Sequence, residues 1–164
     1  MTLSFFHKRL NKFNLTVAAE KTGMIRFSRF HPGVQRRISF LGFETYWLKD
    51  SNGAVKVRQR TARKKLQSAC RRIKEWIEDN RHLKGRSFIK ALNRRLRGHY
   101  NYYNIPGNLP SLWRLYFWAV ECSFKWLNRQ GGKRKSFTWQ VFNKAIDRLG
   151  IARPKMQVVN RQHR

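Results

Sequence analysis

Eight carboxylates are all the acid this 164-residue sequence offers: Glu20, Glu44, Asp50, Glu75, Glu78, Asp79, Glu121 and Asp147. Metal-assisted chemistry on phosphates needs carboxylates that converge on cations about 4 Å apart. Only Glu78 and Asp79 are adjacent, and neighbours on a helix point about 100° apart. They read as a solvated helix end beside Arg81. The five histidines, at 7, 31, 82, 99 and 163, have no metal-ligand spacing. Cys70 and Cys122 have no CxxC partner and read as reduced thiols of an intracellular, cytoplasmic protein. No GxxxxGKS/T phosphate loop occurs. Residue types and spacing therefore display neither a catalytic nor a metal site, and imply no cofactor held by this chain.

The chemistry on offer is cationic. Lysine and arginine number 37 against those 8 acids, a formal net charge of +29, so a polyanion is the expected partner. The cations recur in runs: Arg63-Lys64-Lys65, Arg71-Arg72, Arg94-Arg95 with Arg97, and Lys133-Arg134-Lys135. Recurrence through several elements points to a phosphate-binding surface rather than one solvated face. Tyr100, Tyr102, Tyr103, Trp113, Tyr116 and Trp118 lie between these runs. Most read as core, but aromatic faces also stack on unpaired bases. Three rings within residues 100–103 cannot all face inward on one helix, so one or two should be exposed. No run of about 18 apolar residues is present to span a membrane, and Met1 to Arg9 has no secretory apolar region.

These side chains need elements to position them. Residues 1–60 read as mixed α and β. Leu3, Phe6, Leu10 and Phe13 predict a helix over 2–13, and Leu15-Thr16-Val17 and Met24–Phe30 are strand candidates. Ile38–Trp47 and Val55–Arg60 predict two strands joined by Asp50-Ser51-Asn52-Gly53, with positive φ supplied by Asn-Gly. If 38–47 is continuous, Phe40 and Gly42 share one face and Leu41 and Phe43 the other, and Gly42 would let a nucleic-acid backbone or a neighbouring strand approach closely. From Thr61 on, four amphipathic helices follow. Thr61 is the expected cap of the first, with Leu66, Cys70, Ile73, Trp76 and Ile77 inside. Ser87 is the expected cap of the second, with Phe88, Leu92, Leu96 and Tyr103 inside. Ile105-Pro106-Gly107-Asn108 is a stop, and the third helix buries Leu112, Leu115, Tyr116, Ala119 and Val120. Thr138 is the expected cap of the fourth, with Trp139, Phe142, Ile146 and Leu149 inside and Gly150 as its stop, and Arg153-Pro154 opens a tail.

Phe40-Leu41-Gly42-Phe43, the Ala19-Glu20-Lys21-Thr22 segment, and Leu96-Arg97-Gly98-His99-Tyr100-Asn101-Tyr102-Tyr103 together resemble group II intron reverse transcriptase/maturases, in the order and spacing of that family's carboxyl-terminal portion. Thr138-Trp139-Gln140-Val141-Phe142 resembles a Trp-containing helix further on. The resemblance implies an α+β chain: a small β-rich palm remnant over 1–60, then an α-helical thumb/maturase (X) bundle over 61–164. It implies a primer grip at Phe40, Leu41, Gly42 and Phe43. The family's aromatic-Ala-Asp-Asp motif is expected upstream of Met1, so the chain reads as a fragment, a split-gene product or a decayed reading frame, inactive alone as a polymerase.

The implied function is RNA binding in aid of group II intron folding and splicing. In a complete protein the same parts would clamp template–primer nucleic acid. Mg²⁺ would belong to the missing polymerase site or to the intron RNA. A separate chain carrying the fingers and the catalytic Asp pair is the alternative partner. A membrane is not expected as one, because the turn-rich first 60 residues do not suit an interfacial helix. The expected RNA contacts are Arg63, Lys64, Lys65, Arg71, Arg72, Arg94, Arg97, His99, Tyr100, Asn101, Tyr102, Lys133, Arg134 and Lys135. Gly98 costs a helix interior about 1 kcal/mol relative to alanine, which implies a close approach there by a neighbouring helix or by RNA.

Overall fold

The computed structural model describes residues 3–16, 18, 25–33, 35–129 and 136–156. Among them the chain is mixed α+β. Helix α1 (Leu3–Asn11) comes first. A three-stranded antiparallel sheet follows, with β1 (Ile38–Phe40), β2 (Phe43–Lys49) and β3 (Val55–Thr61) in that spatial order. Helices α2 (Arg63–Asp79), α3 (Gly85–Tyr103), α4 (Leu109–Leu127) and α5 (Trp139–Leu149) complete it.

The stretch expected to be one strand is two. Phe40 pairs with Phe43, and between them Leu41 and Gly42 have φ of +48° and +84°. Two successive left-handed residues make the tight turn whose twist suits a hairpin. An apolar run hides this turn, since Leu41 is not a turn residue by type. Face alternation therefore stops at Phe40, and the expected pairing of Phe40 with Gly42 on one face is overturned. At the second hairpin Gly53 donates to the Asp50 carbonyl at 3.0 Å and has φ +77°. The Asp50 carboxylate accepts from Asn52 and Ala54 N–H. Gly53 alone supplies the positive φ; Asn52 does not.

Neither early strand candidate forms among the described residues. Ile25 to Phe30 is irregular, with Phe27 tilted on Trp47 at 5.6 Å and Gly33 N–H donating to the Trp47 carbonyl. Leu15 and Thr16 are exposed coil, and Ala19 to Thr22 lie outside the described residues.

The core lies in the four later helices. Leu66, Ala69, Ile73 and Ile77 of α2 recur at three and four. They meet Phe88, Ile89, Leu92 and Leu96 of α3, Leu112, Leu115, Ala119 and Val120 of α4, and Phe142 and Ile146 of α5. Thr138 caps α5 through the Val141 N–H, and Gly150 ends it at φ +73°, as the sequence predicts. Of the four residues expected inside α5, Phe142 and Ile146 are buried, while Trp139 and Leu149 at its two ends are exposed. The other caps differ. Ala62 and Lys84 hold the N-cap positions of α2 and α3 and make no side-chain cap bond. Thr61 instead ends β3, and Ser87 lies inside the first turn of α3.

The expected tail begins as a strap. Asn93 of α3 donates to the Gly150 carbonyl and accepts from Ala152 N–H. Tyr100 donates to the Ala152 carbonyl and Asn104 to that of Lys155. Asn93 and Tyr100 stand seven apart on one side of α3 and Asn104 is its C-cap, so one side and the end of the helix satisfy the strap's backbone. Ile151 and Pro154 of the strap are buried.

Candidate nucleic-acid interface

The Phe40–Phe43 and Leu96–Tyr103 motifs, far apart in sequence, meet. Tyr102 Oη, at the end of α3, donates to the Leu41 carbonyl at 2.9 Å. Phe43 stacks on Tyr102, with centroids 5.8 Å apart and planes at 18°, and tilts against Tyr103 at 5.1 Å. A Cβ on Gly42 would stand 2.7 Å from Tyr103 Oη. Gly42 was expected to admit a strand or a nucleic-acid backbone; its space is filled by the Tyr103 side chain. Beneath the turn, the Gly42 carbonyl accepts from Ala62 N–H. Asn108, fully buried, accepts from Thr61 N–H and donates to Thr61 Oγ1 and the Tyr103 carbonyl. One amide thus ties the end of β3 to the end of α3, and is spent on that junction rather than on capping α4. The hairpin tip is held on the helix end with Phe40 and Leu41 projecting, 70% and 66% exposed.

Glu44 is the buried carboxylate of this region. It meets Arg60 at 2.9 Å and Arg37 at 3.5 Å, and accepts from the Arg63 backbone N–H at the start of α2. A helix start favours an anion, so Glu44 offsets the three exposed cations Arg63, Lys64 and Lys65 of that turn. It is committed to structure. No three His, Cys, Asp or Glu side chains converge as metal ligands among the described residues, so this part of the chain does not fit a two-metal centre.

On α3, Arg94, Arg97 and Asn101 are exposed, and Gly98 lies between them on the helix surface. A Cβ at Gly98 would meet nothing within 4 Å. The close approach by a neighbouring helix, expected as one explanation of that glycine, is not made by any of the described residues. The other residues of the motif divide. Tyr100 is buried and bonded to the strap, so it presents no face to a partner. His99 is half-buried, 4.5 Å from the Tyr103 ring, with a buried and unpartnered Nε2. Burial, with Arg72 nearby, lowers its pKa to about 4. It is neutral near pH 7 and adds no cation to the surface. Tyr102 is 56% exposed, which leaves one ring of the three open. Arg71 and Arg72 are exposed on α2, with Arg71 3.8 Å from Glu75. Lys133, Arg134 and Lys135 lie outside the described residues.

Sequence reasoning missed a groove of about 1000 Å³ between α2 and α4. Trp113, Phe117 and Trp118 line it, with Arg63, Arg71, Lys74 and Arg114 around them. The signal was available: the core stripe of α4 runs through 112, 115, 116, 119 and 120, and Trp113 and Phe117 fall off it, four apart.

The model of the group II intron maturase-specific domain matches residues 66–145. No curated protein and no solved structure matches the chain. The match runs from α2 into α5 and bears out the resemblance to the carboxyl-terminal portion of a group II intron maturase.

Proposed function

We propose, from the premise that residues 66–145 are a group II intron maturase-specific domain, that this chain binds intron RNA by its phosphates and favours the splicing-competent fold. The ribozyme and its own metal ions would make and break the bonds. The domain links the chain to splicing. The observation that supports binding is the open face of α3, where two exposed guanidinium groups flank a glycine that none of the described residues approaches. Arginine's planar fork suits phosphate oxygens, and a missing Cβ lets a sugar–phosphate backbone come close. Cations placed there lower the repulsion between RNA strands that must pack together. In a complete reverse transcriptase, the hairpin tip would position the primer strand and the helices would clamp the duplex.

The test is intron RNA affinity as a function of salt. With about six phosphates neutralised, log K against log salt falls with a slope of about −4 to −5. A slope near zero, or equal affinity for intron RNA and an unrelated duplex of the same length at physiological salt, refutes the proposal.

A second reading makes the chain one half of a split RNA-directed DNA polymerase, with the catalytic Asp pair on another polypeptide. The sheet favours it: β1 is exposed throughout, and Ile38, Leu48 and Val57 stand open to solvent. Primer extension that appears only when a chain bearing those acids is added would select this reading.

A further inference from the structure

We infer that the groove between α2 and α4 receives unpaired nucleotides of RNA, with bases stacked on Phe117 and Trp118 and the flanking phosphates held by Arg63, Arg71, Lys74 and Arg114. The inference rests on the RNA-binding reading above and adds a second, chemically different contact to it.

The walls of the groove are already arranged. Phe117 stacks on Trp113 with centroids 5.5 Å apart and planes at 27°. Trp118 Nε1 donates to the Cys70 carbonyl at 3.1 Å, across from α4 to α2. That bond fixes the indole, so little side-chain entropy remains to be lost on binding. Yet Phe117 is 61% exposed and Trp118 39%. A helix apolar on both sides expects cover on both. The inner side of α4 has its core; the groove side is open.

The groove lies away from the face already described. Arg95 of α3 stacks over the Trp76 ring of α2 at 4.4 Å, and Trp76 stacks on Phe88. On α2, Cys70 and Lys74 stand two positions from Arg72 and Trp76, about 200° around the helix. The groove also continues. A second cavity of about 440 Å³ shares Arg63, Leu66, Pro110 and Arg114 with it and reaches Tyr46, Arg60 and Gly107 at the sheet.

Charge decides the occupant. The lining carries four cations and one carboxylate, Glu121, in a chain of net charge +29. A second copy would bring like charge to like. Flat rings bordered on both walls by cations form a stacking platform with phosphate rails, as single-stranded nucleic acid requires. A duplex cannot use them, because its base faces are stacked on each other.

The experiment uses the full chain and two RNA probes: a hairpin with an unpaired loop, and the same stem as a blunt duplex. Phe117→Ala and Phe117→Leu should weaken loop binding about tenfold, as for loss of one base–aromatic stack, with duplex affinity and salt slope unchanged. Phe117→Trp should restore loop binding. Arg71→Ala with Lys74→Ala should instead reduce the loop RNA slope by about 1.4. Photocrosslinking from a loop nucleotide should map to residues 113–118, a readout that needs no variant. Unchanged loop affinity in folded Phe117→Ala, equal loss on both probes, or crosslinks elsewhere overturns the inference alone. Loss of an acidic amphipathic peptide rather than RNA in Phe117→Ala also overturns it, in favour of a protein partner. Failure of the unaltered chain to bind either RNA overturns the parent reading.

Discussion

Gly98→Ala should separate folding from the proposed RNA binding, because none of the described residues packs where the missing side chain would stand. Gly98 lies inside α3 with negative φ, and nothing approaches within 4 Å of the place where its Cβ would be. Alanine at such a site gains about 0.8–1 kcal/mol in helix propensity. For a chain of this size that raises Tm by roughly 2–4 °C. The effect on binding has the opposite sign. If a phosphate backbone lies between Arg94, Arg97 and Asn101, a methyl group on its path pulls at least one guanidinium contact out of reach. A hydrogen bond to a charged group is worth about 1.5–3 kcal/mol, so affinity falls tenfold or more. Thermal melts and fluorescence anisotropy with intron RNA across a salt series read both effects. A variant more stable than the parent but weaker on RNA is the expected result. Greater stability with unchanged affinity and slope would remove this face from the interface. Lower stability would show that the chain itself packs against Gly98.

The remaining predictions probe the same surface and its supports. Arg94→Ala with Arg97→Ala should weaken RNA binding and reduce the salt slope by about 1.4–1.8, with helical circular dichroism intact; an unchanged slope moves the contact elsewhere. Gly42→Ala should destabilise by about 1–3 kcal/mol in urea titrations, since it meets Tyr103 Oη and keeps a left-handed φ; adding Tyr103→Phe should recover only the steric part. Asn108→Ala should cost about 3 kcal/mol, by stranding Thr61 N–H and the Tyr103 carbonyl in the interior, and a loss near zero would mean that water replaces the amide. His99, with a folded pKa of about 4 against an ordinary 6.5, takes up its proton first in the unfolded chain. Its contribution to stability is therefore complete above about pH 6.5, is lost as pH falls toward 4, and levels off below that. His99→Phe should flatten this part of a melting-temperature profile, and an unaltered profile would assign the acid sensitivity to another group.

The four later helices were legible because their signals are local. Apolar residues recur at three and four along α2, α3 and α4, and Thr138 and Gly150 mark both ends of α5. Net charge pointed to a polyanion as partner, and the Leu96–Tyr103 motif pointed to the family whose domain model matches residues 66–145. Each of these signals is carried by residues within a few positions of one another, or by composition, which has no geometry. The Leu41-Gly42 turn was hidden inside an apolar run, and the strap over α3 inside a stretch that reads as a tail. Both depend on partners distant in sequence, as when Asn93 holds Gly150 and Ala152.

Two glycines show the division most clearly. Gly42 and Gly98 both read as places where something comes close. Tertiary structure gives them opposite answers. Tyr103 Oη fills the space at Gly42, and among the described residues nothing fills the space at Gly98. A glycine in a sequence reports only that a side chain is absent. What stands opposite is set by how hairpin and helix dock, and that docking rests on packing and hydrogen bonds such as Tyr102 to Leu41, 61 residues apart. The open side of α4 follows the same logic: its second apolar stripe was written in the sequence, but only the arrangement of α2 and α3 around it left that stripe uncovered.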